Sequence, residues 1–232
     1  MKALHKKIIK EVSLKTLLVS SLFFAAIFVF EFLAHEVVGE KEDMFDTKVF
    51  HFLKAHTTPP LVKLVNGLTF FGNHFFLIPA YILMVTILFL RHRRSYAINI
   101  IVIVLSSTAL LFGLKAIYGR HRPELPLLRE LHDYSFPSGH AIMSVTFYEL
   151  LKYIIAQTIK DKPLKWSLII SLCIFVQLIG FSRVYLRVHY ASDVAVGYIT
   201  GFLWLQISLK LLQQTENYIQ QNNVLVPKVN EV

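Results

Sequence analysis

Five stretches of this chain carry no Asp, Glu, Lys or Arg: residues 16–30, 68–90, 96–114, 166–182 and 194–209. A helix needs roughly 20 apolar residues to cross the hydrocarbon of a bilayer, and within it every backbone N–H and C=O must be paired. With their flanks, most of these runs reach that length as helices. A sixth segment, about 140–159, is interrupted by Glu149 and Lys152. The expectation is an all-α integral membrane bundle of six transmembrane helices with one or two short interfacial helices. Six spans consume most of 232 residues. One domain is therefore expected over 1–232, with 1–13 as a cytoplasmic N-terminus and 213–232 as a polar cytoplasmic tail. The mean hydropathy of +0.54 agrees, being higher than a soluble domain of this size requires for its core.

Lys2, Lys6, Lys7 and Lys10 precede the first run as they would in a signal peptide. Bulky residues at 30–33 stand where a small-residue cleavage site belongs, so this run is expected to remain as the first helix. The formal net charge of +9 does not point to nucleic acid, because the cations lie in loops between spans rather than on one face. It points to orientation. Basic clusters at 2–15, 91–94 and 160–165 alternate with less basic loops, and the positive-inside rule places those clusters in the cytoplasm. The segments 115–140 and 182–193 then share the opposite side. Their own arginines oppose the rule, as charges kept for chemistry would.

Three short segments hold most of the polar chemistry. In the first, Lys115 and Arg122 stand seven apart, close to two helical turns. If that stretch is helical, the two cations share a face and Pro123 ends the helix. An arginine fork and a lysine charge suit phosphate oxygens, although a solvated rim gives the same pair. In the second, Pro137-Ser138-Gly139-His140 reads as a helix start. Ser138 would cap it, Gly139 would open backbone N–H groups to an anion, and His140 would face the same spot. A plain helix start with a chance histidine fits as well. In the third, Arg183 closes the fifth span, and His189 and Asp193 are four apart, stacked on one face if helical. Such a carboxylate fixes the imidazole tautomer and leaves the other nitrogen free as a nucleophile. A structural His–Asp pair and a metal site compete with that reading; three nearby cations argue against a metal. Gly197 and Gly201 continue the Asp193 face, placing it against another helix of the bundle or in a dimer interface.

The patterns K-x6-R-P, P-S-G-H and S-R-x5-H-x3-D are all filled, over residues 115–193, about a third of the chain. Together they resemble the signature of the type 2 phosphatidic acid phosphatase (PAP2) family, whose membrane members are similar in their six-span layout. The resemblance implies a lipid phosphatase of a bacterial inner membrane with its site on the periplasmic or extracellular side. Its substrate would be a phosphorylated lipid: undecaprenyl diphosphate, phosphatidylglycerophosphate, phosphatidate or a lipid A phosphate. The resemblance implies that His189 attacks phosphorus to form a phospho-histidine, that Asp193 orients it, and that His140 protonates the leaving group. Lys115, Arg122, Ser138, Gly139 and Arg183 would hold the phosphoryl oxygens, with no metal or other cofactor. His189 rather than His140 is the nucleophile on chemical grounds too, since only it has a carboxylate at i+4. A phosphotransferase would use the same pocket. A lipid binder or transporter would leave the His189–Asp193 pair idle.

Other residues carry weaker expectations. Arg120, Arg129 and Arg187 could extend the cationic mouth toward a second phosphate, and Tyr118 and Tyr185 could line its entrance. His121 reads as a chance loop histidine. Glu149, deep in the interrupted span, calls either for a hydrogen bond to a neighbouring helix or for a functional role. Cys173, the single cysteine, is expected to be a buried structural thiol. Phe45, Val49 and Phe52/Leu53 recur at helical spacing with Asp46, Lys48 and Lys54 between them. They form a short amphipathic helix that either lies on the bilayer or packs on the bundle.

Overall fold

The computed structural model describes Phe28, Ala34, residues 44–128 and residues 133–221, with side chains as far as 215. The expected first span, the 1–13 segment, Arg129 and the end of the tail fall outside these residues. Helices run at Met44–Ala55 (α1), Pro59–Thr69 (α2), His74–Leu90 (α3), Arg94–Tyr118 (α4), Gly139–Thr158 (α5), Lys162–Tyr185 (α6) and Ala191–Gln221 (α7). A 3-10 turn, Phe70–Gly72, joins α2 to α3. Among the described residues every regular element is helical.

Local chemistry explains the boundaries. Asn73 Oδ1 accepts the Phe75 N–H at 3.0 Å to start α3, and Asp161 Oδ1 accepts the Leu164 N–H at 2.7 Å to start α6. Gly119, left-handed at φ 56°, ends α4 by donating to the Lys115 carbonyl at 3.0 Å. The helix of α7 continues to Gln221, through the start of the expected polar tail.

Among the described residues, four helical segments are long and apolar enough to cross a membrane: Pro59–Leu90, Arg94–Tyr118, Lys162–Tyr185 and Ala191–Thr215. α5 is not among them, and its packing explains why. Ala141, Ile142, Ser144, Val145, Thr146, Phe147, Tyr148 and Leu150 are all buried, so α5 meets other helices around most of its first half. A helix wrapped by protein can carry polar groups that lipid would penalise. Its two charges pair with each other, Lys152 Nζ to Glu149 Oε1 at 2.6 Å, so Glu149 finds its partner on its own helix rather than a neighbour. The core around α5 includes Leu77 and Tyr81 of α3, Ile100 and Ile103 of α4, Val176 and Ile179 of α6, and Leu205 of α7. Cys173 is not buried as expected. It sits on the outer face of α6, where Lys152 Nζ donates to its sulfur at 3.2 Å.

Gly197 and Gly201 settle which surface of α7 is covered. A Cβ on Gly201 would lie 2.8 Å from the Ile142 carbonyl oxygen, and one on Gly197 2.9 Å from that of Ser138. The small-residue face therefore packs on α5, bringing backbone to backbone. This contact draws the N-termini of α5 and α7 together, sealed by the Ser138 N–H donating to the Asp193 carbonyl at 3.0 Å. The C-terminal ends of α4 and α6 reach the same end of the bundle. At the other end lie the 91–94 and 160–165 clusters and a cleft of about 330 Å³ lined by residues such as Leu88, Tyr96, Ile154 and Leu212.

α1 packs Leu53 and Val49 on the bundle, as one of the two expectations for this helix had it. Met44, Phe45 and Phe52 are exposed, whereas Asp46 and Leu53 are buried. The Asp46 carboxylate enters the protein on the same side as Leu53.

Candidate active site

The site forms where α4, α5, α6 and α7 converge. Lys115, in the last turn of α4, donates to Asp133 Oδ2 at 2.7 Å and to the Tyr134 carbonyl. Arg122 lies beyond the helix. The left-handed Gly119 ends α4 before it, so Lys115 and Arg122 do not share a helix face as the spacing suggested. The loop joins them instead. Arg122 donates to Asp133 Oδ1 at 2.8 Å and to the Asp133 carbonyl at 2.9 Å, so one carboxylate bridges both cations. Arg122 Nη1 also reaches the Val188 carbonyl at 2.5 Å and stands 3.2 Å from His189 Nε2.

His189 sits in the turn just before α7, again not on a shared helix with its partner, yet the pair forms. Nδ1 is 3.4 Å from Asp193 Oδ2, an oxygen that also accepts the Tyr190 N–H at 2.9 Å. The Arg183 carbonyl accepts the His189 N–H at 3.3 Å, tying the imidazole to the end of α6. Burial, followed by the charges of Arg122, Arg183 and Lys115, holds the His189 imidazole well below its ordinary pKa. It is therefore neutral near pH 7, as a nucleophile must be.

Ser138 occupies the N-cap position of α5 by backbone, but its side chain makes no cap bond. Its Oγ is buried without a partner among the described residues, as are His140 Nε2 and Arg183 Nε. The other arm of Arg183, Nη1, donates to Thr69 Oγ1 at 2.8 Å. Gly139 packs on Leu111, where a Cβ would come within 3.1 Å. Buried polar groups are normally satisfied, and these three unpartnered atoms stand at the end of the bundle that holds the buried His–Asp pair.

Residues 96–216, just over half the chain, match the family model described as the PAP2 superfamily. The chain belongs to the PAP2 superfamily. Over 148 residues it is 32% identical to phosphatidylglycerophosphatase B of Bacillus subtilis (strain 168), covering 62% of this chain and 72% of that protein. It is 29% identical over 181 residues to an undecaprenyl-diphosphatase of Sulfolobus acidocaldarius, covering 73% and 81%. Among solved structures, a transmembrane PAP2-type phosphatidylglycerolphosphate phosphatase from Bacillus subtilis superposes with a TM-score of 0.73. It is 23% identical and covers 83% of this chain and 96% of that one. Aquifex aeolicus LpxE gives 0.57 at 26% identity, with 74% and 98% coverage. The apolar helices and these membrane-bound relatives make this PAP2 protein an integral membrane protein.

All eight residues singled out from the PAP2 motifs are drawn to one end of the bundle. Several companions fare differently. Arg120 does not face a mouth: it pairs with Asp193 at 2.6 Å and Asp46 at 2.8 Å. Arg187 is buried, donates to Thr57 at 3.0 Å and lies over Phe50. Tyr185 is an internal brace; its hydroxyl accepts the Thr58 N–H at 3.3 Å. Asp133 carried no expectation, and Asp46 was expected only among the polar residues of a short amphipathic helix. Asp46 left a faint signal, since it and Leu53 are seven apart and so share a helix face. Nothing at 133 foretold a carboxylate bridging two cations.

Proposed function

We propose that this PAP2 protein hydrolyses a phosphorylated lipid, with His189 as nucleophile. The observation that carries the reading is the set of buried, unpartnered atoms Ser138 Oγ, His140 Nε2 and Arg183 Nε beside the His189–Asp193 pair. A phosphoryl group supplies what they lack: acceptor oxygens for Ser138 and Arg183, and a leaving oxygen for His140. Phosphoryl transfer asks a protein chiefly for positioning and charge stabilisation, and Lys115, Arg122 and Arg183 supply the charge. Asp193 holds Nδ1, which leaves Nε2 to attack phosphorus. As the N–P bond forms, the P–O ester bond breaks, and its electron pair and the His140 proton go to the leaving oxygen. Water then attacks the phospho-histidine and gives its proton to His140, releasing phosphate and restoring His189.

Six spans and a single domain remain the reading of the whole chain, with the site on the side away from the basic 91–94 and 160–165 clusters. The relatives' substrates, phosphatidylglycerophosphate and undecaprenyl diphosphate, are the first to try. Detergent-purified protein should release inorganic phosphate from members of a panel of lipid monophosphates and diphosphates, unaffected by chelator and blocked by vanadate. Tight binding of these lipids without phosphate release would sink the assignment.

Asp133 adds a quantitative expectation. Its carboxylate occupies the two cations that a phosphate would claim, at 2.7 and 2.8 Å. Burial alone would raise its pKa, but the hydrogen bonds and charges of Lys115 and Arg122 carry it below the usual carboxylate range. Asp133 is ionised at neutral pH and competes with the incoming anion. Asp133→Asn should therefore lower the inhibition constant for inorganic phosphate by about 1.5- to 5-fold, the scale of one exposed charge pair. Weaker phosphate inhibition in the variant would show that Asp133 organises the cations instead.

A further inference from the structure

One guanidinium and one buried carboxylate in the wall of the site have no part in holding phosphate, yet they converge on the residue that steers the nucleophile. Arg120 Nη1 donates to Asp193 Oδ1 at 2.6 Å and to Ser192 Oγ at 2.9 Å, and Nη2 donates to Asp46 Oδ2 at 2.8 Å. The flat face of the guanidinium lies 3.9 Å over the Tyr190 ring. Asp46 Oδ1 accepts the Ser192 N–H at 2.9 Å, and Oδ2 also takes the Ser192 hydroxyl. Asp46, Ser192 and Asp193 are 3%, 1% and 0% exposed. A carboxylate from α1 thus caps the first turn of α7, where free N–H groups and the positive helix end favour an anion.

We propose that Asp46 and Arg120 are positioning residues that fix Asp193, and through it His189, in the reactive geometry; the inference rests on His189 being the nucleophile. The reasoning is geometric. Asp193 Oδ2 is committed to His189 and Tyr190, so the plane of the carboxylate is set by what holds Oδ1. Arg120 holds it. A guanidinium gripped on one side only could swing toward the phosphate. Asp46 grips the other side, and the Tyr190 ring limits tilt. An arginine fork serves two carboxylates in fixed directions at once, which a lysine cannot do. Charge supports the arrangement as well. Two buried carboxylates share one guanidinium and a helix N-terminus, so removing Arg120 leaves like charges facing each other. The surface helix α1 thereby becomes part of the catalytic apparatus from 146 residues away in sequence.

The test uses full-length protein in detergent, with kcat, KM and the thermal midpoint measured for wild type, Asp46→Asn, Arg120→Gln, Arg120→Lys and the Asp46→Asn/Arg120→Gln double variant. Each single change should lower kcat by about 10- to 100-fold, the usual effect of losing an outer partner of a reactive group. KM should stay within about threefold, because neither residue touches phosphate. Arg120→Lys should recover part of the Arg120→Gln loss by restoring charge beside Asp193. The double variant should be no worse than Arg120→Gln, since both act along one line. A raised KM with kcat intact would make Arg120 a phosphate ligand. Additive losses, or a lowered thermal midpoint with kcat unchanged, would also overturn the proposal. Should Arg120 variants fail to fold, the near-isosteric Asp46→Asn decides the question alone. A wild-type protein with no phosphatase activity would instead refute the functional assignment, whereas an active wild type matched by Asp46→Asn refutes only this inference.

Discussion

His189→Ala is expected to abolish turnover, by about 10^4-fold or more, and to remove the alkali-stable, acid-labile trace of label from protein quenched during turnover of a ³²P-labelled substrate. The size follows from the step that is lost. Without Nε2 no covalent intermediate forms, and the remaining cations can only bind the substrate. A 10^4-fold loss corresponds to about 5.5 kcal/mol of barrier. KM should change little, because the proposed grip on phosphate belongs to Lys115, Arg122, Ser138, Gly139 and Arg183. Label that survives alkali but not acid, as a phospho-histidine does, should appear in the wild type and vanish in the variant. Label retained in His189→Ala, or found on His140, would overturn the assignment of the nucleophile.

The depressed pKa of His189 also fixes a direction with pH. In the free enzyme the imidazole stays neutral well below its ordinary value near 6.5, so the acid limb of kcat/KM due to this group should lie below that value. The substrate's second phosphate ionisation, near 6, must be allowed for. Stability follows the same linkage. Below about pH 6.5 the unfolded chain takes up a proton at this position that the native protein refuses, so the contribution of His189 is present above that pH and declines as pH falls toward the native value. An acid limb at or above 6.5 in the free enzyme would show that burial and the neighbouring cations do not act on His189 as the geometry requires.

The sequence announced helices and their membrane setting because period, length and absence of charge are one-dimensional properties. The motifs announced residue types, and their convergence followed from alternating helix direction: 115–122 and 182–189 end helices, while 138–140 and 191–193 begin them. Geometry inside the motifs was less legible. Seven- and four-residue spacings suggested shared helix faces, yet Gly119 ends α4 before Arg122 and α7 starts only after His189. Turn chemistry, not helical stacking, sets both pairs. The charge partners were least legible of all. Asp133 reaches Lys115 across 18 residues, and Asp46 reaches Ser192 across 146. Such contacts depend on packing that no local period encodes. Arg120, Arg187 and Tyr185 are ambiguous in sequence for the same reason: polar groups near a motif look like substrate contacts until their partners on α1 and the α1–α2 connection are seen.

His140→Ala should separate the two halves of the proposed chemistry by leaving group. Among the described residues, His140 Nε2 is buried without a partner and no carboxylate pairs with the ring, so the proposed place of His140 is at the departing oxygen rather than at phosphorus. A lipid alkoxide is a strong base, and expelling it without a proton is costly. For a lipid monophosphate the variant should therefore lose about 10²–10⁴ in kcat, the range of general acid catalysis. A nitrophenyl phosphate, whose leaving group departs unprotonated, should lose far less in the phosphorylation step. Dephosphorylation should slow for both substrates, because His140 must then take a proton from the attacking water. The labelled phospho-enzyme should consequently accumulate in His140→Ala when the activated ester is supplied, in contrast to His189→Ala, which accumulates none. Equal losses for the two substrates with no trapped intermediate would show that His140 only holds the phosphate, and the roles of the two histidines would have to be assigned afresh.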